Sequence, residues 1–128
     1  MKNKLFFSLS FCNQDVYYVE LDSIQDKNEL WDKIGKSRNY MRELRNPEKI
    51  IIHLEQTVLT HSRVDQIIEL VEQTRDHYSK LCFVGVHGIN RWILRHKMKQ
   101  SLKNFTAPWS LNNDYQKAKE WIVSNGTK

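Results

Sequence analysis

The chain reads as an α/β domain: a mixed, mostly parallel sheet that begins with an N-terminal β-hairpin and is covered by about four helices. Three observations predict this. Short apolar runs rich in β-branched residues alternate with longer segments whose apolar residues recur at helical spacing. Turn-forming and capping residues fall between the two kinds of segment. At 128 residues, with 40% hydrophobic and 27% charged residues, four Gly and two Pro, the chain has the size and composition of one globular domain, residues 1–128.

Aromatic and β-branched residues dominate from Lys4 to Cys12 and from Val16 to Leu21, with turn chemistry at Asn13-Gln14-Asp15, which predicts the hairpin. Asp22 or Ser23 is placed to cap a first helix over about Lys27 to Arg45, ended by Asn46-Pro47 and carrying an irregularity at Gly35. Lys49 to Leu54 is a continuous apolar run, as expected of a central strand covered on both faces. A polar loop follows, and Ser62 is placed to cap a second helix whose apolar face is Val64, Ile67, Ile68, Leu70, Val71 and Tyr78. Leu81 to Val86 is another buried-strand run, and His87-Gly88 turns into a third helix over about Ile89 to Lys103. Phe105 to Trp109 predicts a last short strand. Asn112, Asn113 and Asp114 offer caps for a closing helix bearing Tyr115, Ala118, Trp121 and Ile122. The order β-β-α-β-α-β-α-β-α implies parallel strands joined by right-handed crossovers.

The first residues are basic, but their apolar run breaks at Ser8, too early for a signal peptide, and no apolar stretch reaches the roughly 18–20 residues that span a bilayer. A cytoplasmic location is the expectation. Cys12 and Cys82 lie far apart in apolar runs, where a free thiol acts as a small buried hydrophobe, so neither a disulfide nor a metal ligand is expected of them.

The stretch Lys49 to Ser124 resembles the STAS-like domains of the SpoIIAA-like family. The likeness rests on the strand Ile50 to Leu54, the polar loop into a helix, Leu81 to Val86 with Gly85 and Gly88, and the closing segment Tyr115-Gln116-Lys117-Ala118-Lys119-Glu120-Trp121-Ile122. The hairpin fits as well. The resemblance implies a non-enzymatic regulatory or protein-interaction module. Sporulation-type antagonists of that family carry a phosphorylatable Ser in an Asp-Ser-Ser-Gly turn, whereas the corresponding stretch here is Thr60-His61-Ser62-Arg63, without the acid and the glycine. A capping role for Ser62 is therefore favoured over a phosphorylation switch.

Chemistry is sparse. None of His53, His61, His77, His87 and His96 is paired with another at the i, i+4 spacing that lets one helix face hold a metal, so no metal site and no cofactor are expected. His53, Glu55 and His61 surround the predicted C-terminal end of a central strand, where open α/β sheets bind ligands, and His87 follows the neighbouring strand. No nucleophile accompanies them, so no catalytic residue is assigned and solvated loops are the favoured reading. Gly85-Val86-His87-Gly88 before a helix is similar to phosphate-binding turns, where free N–H groups and the helix dipole attract an anion; a tight strand-to-helix turn is the plainer reading.

Charge is the least generic feature. Arg91, Arg95, Lys97, Lys99 and Lys103 stand within thirteen residues without an acid, and together they equal the formal net charge of +5 of the whole chain. Arg95, Lys99 and Lys103 form one stripe with Trp92 beside it, and Leu94, Met98 and Leu102 form an adjacent apolar stripe. Such a surface suits an acidic protein, or an anionic lipid or nucleotide held by Gly85, His87, Gly88, Arg91, Arg95 and Lys99, or serves solubility alone. Nucleic acid is the least supported partner, because no binding motif or stacking platform accompanies the charge. A protein partner leads, a small anionic ligand is the alternative, and a second copy of the chain is a further candidate.

Overall fold

A computed structural model describes residues 5–124. The elements are β1 (Phe6–Phe11), β2 (Gln14–Glu20), α1 (Lys27–Arg42), β3 (Glu48–His53), α2 (His61–Gln73), a 3-10 turn (Arg75–His77), β4 (Tyr78–Val84), α3 (Gly88–Ser101), β5 (Trp109–Asn112) and α4 (Tyr115–Val123). The strands form one sheet in chain order, β1-β2-β3-β4-β5, with β1 antiparallel to β2 and every later pair parallel. This is the mixed, mostly parallel sheet with a leading hairpin that the alternation predicts.

Chain-order pairing decides which face each helix covers. Successive crossovers of one hand, each stepping one strand over, place their helices on the same side. Leu30, Ile34 and Met41 of α1, Val64, Ile67 and Val71 of α2, and Leu94 and Met98 of α3 accordingly share one core with Val19, Ile50, Ile52, Leu81 and Phe83. The opposite face, Val16, Tyr18, Ile51, Cys82 and Val84, is closed by Ala118 and Ile122 of α4. Ile50, Ile51 and Ile52 have no solvent contact, as expected for a central strand sandwiched between helix layers. Lys80 holds α4 in place: its Nζ donates to the Trp121 and Ser124 carbonyls, each at 2.9 Å, at the C-terminal end of the helix, where the dipole favours a cation.

Several local expectations change. The hairpin turn is Cys12-Asn13, with φ of 53° and 63°, and Phe11 pairs with Gln14. A two-residue hairpin turn needs left-handed backbone at both positions, so the turn falls one residue before Asn13-Gln14-Asp15, and Cys12 is exposed rather than buried. The predicted strand start at Lys4 lies outside the described residues. Helix α1 is capped by Asp26, which accepts from the Asn28 N–H, and not by Asp22 or Ser23; it runs through Gly35 without a break. Helix α2 is capped by Thr60, whose Oγ1 accepts from the Arg63 N–H at 3.3 Å. Ser62 is thus not the cap; it is an exposed hydroxyl at the second position of the helix, 3.2 Å from Thr60 Oγ1. The last strand begins at Trp109, because Pro108 has no N–H to donate and Phe105 is used in packing edge-on against Tyr78. Asp114 alone of the three candidates caps α4.

Candidate functional site

The parallel strands end together, and their register brings chemistry to one edge of the sheet. Glu20 of β2 lies beside His53 of β3. Strand alternation points both toward the α4 side, since Tyr18 and Ile51, two residues earlier in each strand, are in the core under α4. Tyr115, the first residue of α4, closes over them. Its ring sits 4.6 Å from that of His53, centroid to centroid, and its hydroxyl donates to Glu20 Oε2. Asp22, just beyond β2, adds a second carboxylate.

A clamp between two loops fixes this edge. Thr57 Oγ1 accepts from the Ile24 N–H at 3.1 Å and donates to the Leu21 carbonyl, while the Ser23 N–H donates to the Glu55 carbonyl at 2.8 Å. The segments after β2 and β3 are thereby held side by side, with Asp22 and Glu55 in their tips.

His53 Nδ1 is 3.4 Å from Glu20 Oε2 and 3.7 Å from Asp22 Oδ1. The atom is shielded from solvent and meets neither oxygen in hydrogen-bond alignment, so charge rather than a formed N–H···O bond dominates the contact. Burial works to lower the His53 pKa, but contact with Glu20 and the charges of Glu20, Asp22 and Glu55 outweigh it and hold the imidazole above its ordinary value. Burial would raise the Glu20 carboxyl, yet its contacts with His53 and Tyr115 keep it below the usual carboxylate value. Burial and the adjacent Glu20 push the Tyr115 hydroxyl upward, which keeps it a donor. Glu20 and Tyr115 also line a cleft of about 250 Å³ with Phe7, Leu9, Tyr18 and Lys119, which His53 and Asp22 do not line.

The predicted strand-end crevice of His53, Glu55 and His61 is therefore divided. His53 turns to Glu20 and Asp22; Glu55 turns to His87, with Oε2 3.0 Å from Nε2 in an exposed pair; His61 stands exposed in the first turn of α2 and joins neither group. Cys82 lies beneath, where burial pushes its thiol up and Asn112 Nδ2 approaches its sulfur at 3.1 Å. That environment makes it an inert packing residue.

The predicted anion-binding turn comes apart in the same way. Gly85 has φ of +88°, and a Cβ there would lie 2.7 Å from both Cα and N of Glu55, so this glycine serves close packing of two loops. His87 is engaged by the Glu55 carboxylate, which sets negative charge at the start of α3, where an anion would otherwise be drawn. Arg91 is spent on the chain itself, donating to the Leu111 carbonyl at 3.1 Å and to Asn113 Oδ1. Gly88, with φ of +62°, has open space around it. Arg95 and Lys99 point away on the outer face of α3.

That outer face is the second distinctive surface. Leu94, Met98 and Leu102 are buried, as their stripe predicts. Trp92 is not core: it is 63% exposed and stacks on His96 with ring centroids 5.3 Å apart, because the inward angles of α3 are filled by Ile93, Leu94 and Met98. Ile89 is 72% exposed on the same face. Arg95 and Lys99 flank the pair and Lys97 is tied to Asp65 of α2, whereas α3 ends at Ser101 and leaves Lys103, expected on the same stripe, beyond the helix.

No protein-family model matches the chain, and no curated protein does. Among solved structures, an uncharacterized DUF3478-family protein from Shewanella loihica PV-4, described as having a SpoIIAA-like fold, superimposes with a TM-score of 0.60 at 11% identity, covering 96% of this chain and 99% of that one. Among the described residues no helix is long and apolar enough to cross a membrane.

Proposed function

Starting from a chain with a SpoIIAA-like fold, we propose a cytoplasmic, non-enzymatic regulatory module that docks an acidic protein surface through the outer face of α3. The observation that carries this reading is the solvent-exposed pair Ile89 and Trp92 set beside Arg95 and Lys99 on α3. Large exposed apolar side chains within a field of one sign fit an interface whose centre is desolvated and whose rim steers the partner. Trp and Arg are the residue types that most often dominate such contacts. The non-enzymatic part is supported by the partners of the two candidate bases, since His53 and His87 face carboxylates and not a hydroxyl or thiol nucleophile. The small-anion alternative loses support because Gly85, His87 and Arg91 are engaged within the fold.

The test places a photo-crosslinking amino acid at Gln100, on the rim of this face, in otherwise native chain and in the double variant Arg95→Glu, Lys99→Glu. A discrete crosslinked protein that is acidic and is lost by tenfold or more in the double variant is expected. Equal crosslinking by both forms refutes the reading. Sedimentation of the chain with phosphatidylglycerol vesicles, abolished by the same double variant and accompanied by no protein crosslink, transfers the face to a membrane surface instead.

A further inference from the structure

We propose that Glu20, Asp22 and His53 form a binding site for one divalent first-row transition-metal ion at the C-terminal edge of the sheet. One ligand atom from each residue lies within 4.8 Å of the others, and His53 Nδ1 is 3.4 and 3.7 Å from the two carboxylates. Ligand bonds of about 2.0–2.2 Å in tetrahedral arrangement set donor atoms about 3.4 Å apart; both His53–carboxylate separations are close to that, and the three atoms, all within 4.8 Å, need only a small inward adjustment to close on one ion. An ordinary histidine–carboxylate pair brings an N–H into line with one oxygen; here a buried Nδ1 sits between two carboxylates and is aligned with neither. A cation between the three satisfies all of them at once, with Nδ1 deprotonated and two negative charges balancing the ion.

The surroundings supply what a metal site needs beyond its ligands. Tyr115 donates its hydroxyl to Glu20 and so orients a ligand carboxylate from outside the coordination sphere. The Thr57 clamp and the Ser23–Glu55 backbone bond hold the loop that carries Asp22 against β3. The neighbouring cleft reaches the cluster at Glu20 and Tyr115, the side from which an ion can reach the Glu20 carboxylate. One imidazole with two carboxylates favours Zn²⁺ or Mn²⁺ over Mg²⁺, which keeps its waters and prefers all-oxygen surroundings. The ligands come from the ends of two neighbouring strands, which is why no helical His spacing announces them.

Chelator-treated, dialysed chain titrated with ZnCl2 by calorimetry tests this. One ion per chain is expected, with affinity at least tenfold lower in His53→Gln and in Asp22→Asn and unchanged in His87→Gln, which alters only the exposed pair with Glu55. In the unsubstituted chain, added Zn²⁺ should shift the Nδ1 resonance of His53 selectively, a readout independent of variant folding. Absence of stoichiometric uptake, equal weakening by His87→Gln, or equal affinity for MgCl2 overturns the proposal.

Discussion

Replacing Gly85 by alanine should be among the most damaging single-methyl additions in this chain. Two costs act together. At φ of +88° a non-glycine residue occupies left-handed backbone, which costs about 1–2 kcal/mol. The new Cβ would also lie 2.7 Å from Glu55 Cα and N and 2.9 Å from Glu55 Cβ, and backbone cannot swing aside as a side-chain tip can. Overpacking of this kind adds about 1–3 kcal/mol. Gly88 supplies the internal control, because its φ is +62° but no atom lies within 4 Å of the added Cβ, so only the backbone cost applies. In urea unfolding with a slope of ~2 kcal/mol per molar, Gly85→Ala should lower the midpoint by about 1–2.5 M and Gly88→Ala by about 0.5–1 M, with the slope unchanged. Equal midpoints for the two variants would refute the close-approach argument. They would also reopen the turn to a ligand-cradling role, since the glycine would then not be explained by packing.

Thr60→Ala should cost about 1 kcal/mol in the same assay, the usual loss for a helix cap, whereas Ser62→Ala should change stability by less than about 0.5 kcal/mol; the reverse order would restore Ser62 as the cap. Leu94→Ala should cost about 2–5 kcal/mol and Trp92→Ala almost nothing, because one fills the core and the other the solvent-facing side of α3; a large loss for Trp92→Ala in thermal unfolding would contradict its exposure. Burial raises the Tyr78 hydroxyl above its ordinary 10.0. The folded chain keeps that proton where the unfolded chain releases it, so stability holds below about pH 10 and falls above it by up to ~1.4 kcal/mol per pH unit from this group. Tyr78→Phe should remove that share of the alkaline slope, and an unchanged slope above pH 10 would show that the hydroxyl is not buried.

The element order was legible because each buried strand is a continuous apolar run and each helix carries a single apolar stripe. Ile50 to Ile52 and the Leu94-Met98-Leu102 stripe needed no tertiary information. The hairpin turn was displaced by one residue because turn propensity at Asn13-Gln14-Asp15 competes with strand register, and register is decided by cross-strand pairs such as Phe7 with Tyr18. Of the Glu20, Asp22, His53 and Tyr115 cluster, only His53 was marked beforehand. Glu20 and Tyr115 are 95 residues apart and meet through strand register and the docking of α4, neither of which periodicity reveals. The available signal was Glu20-Leu21-Asp22, two acids spaced to share one face at the end of a strand, opposite a histidine ending the next. Helical spacing puts Trp92 beside the basic stripe but does not decide its exposure, because an aromatic residue at a stripe boundary fits either environment.

The fourth helix is the last described element of a sheet built in chain order, and this shapes how the protein is made. While a ribosome extends the chain, β1 to β4 can pair as they emerge, and their first face is covered by α1 and α2 as synthesis proceeds. The opposite face, with Val16, Tyr18, Ile51, Cys82 and Val84, has no cover until residues 115–123 are complete. For that interval the nascent chain presents a broad greasy plane to its surroundings, so a stalled or prematurely terminated product should be a preferred client of chaperones and a seed for aggregation. The Lys80 ammonium on β4, donating to the carbonyls of Trp121 and Ser124, is the latch that holds this cover down once α4 has docked.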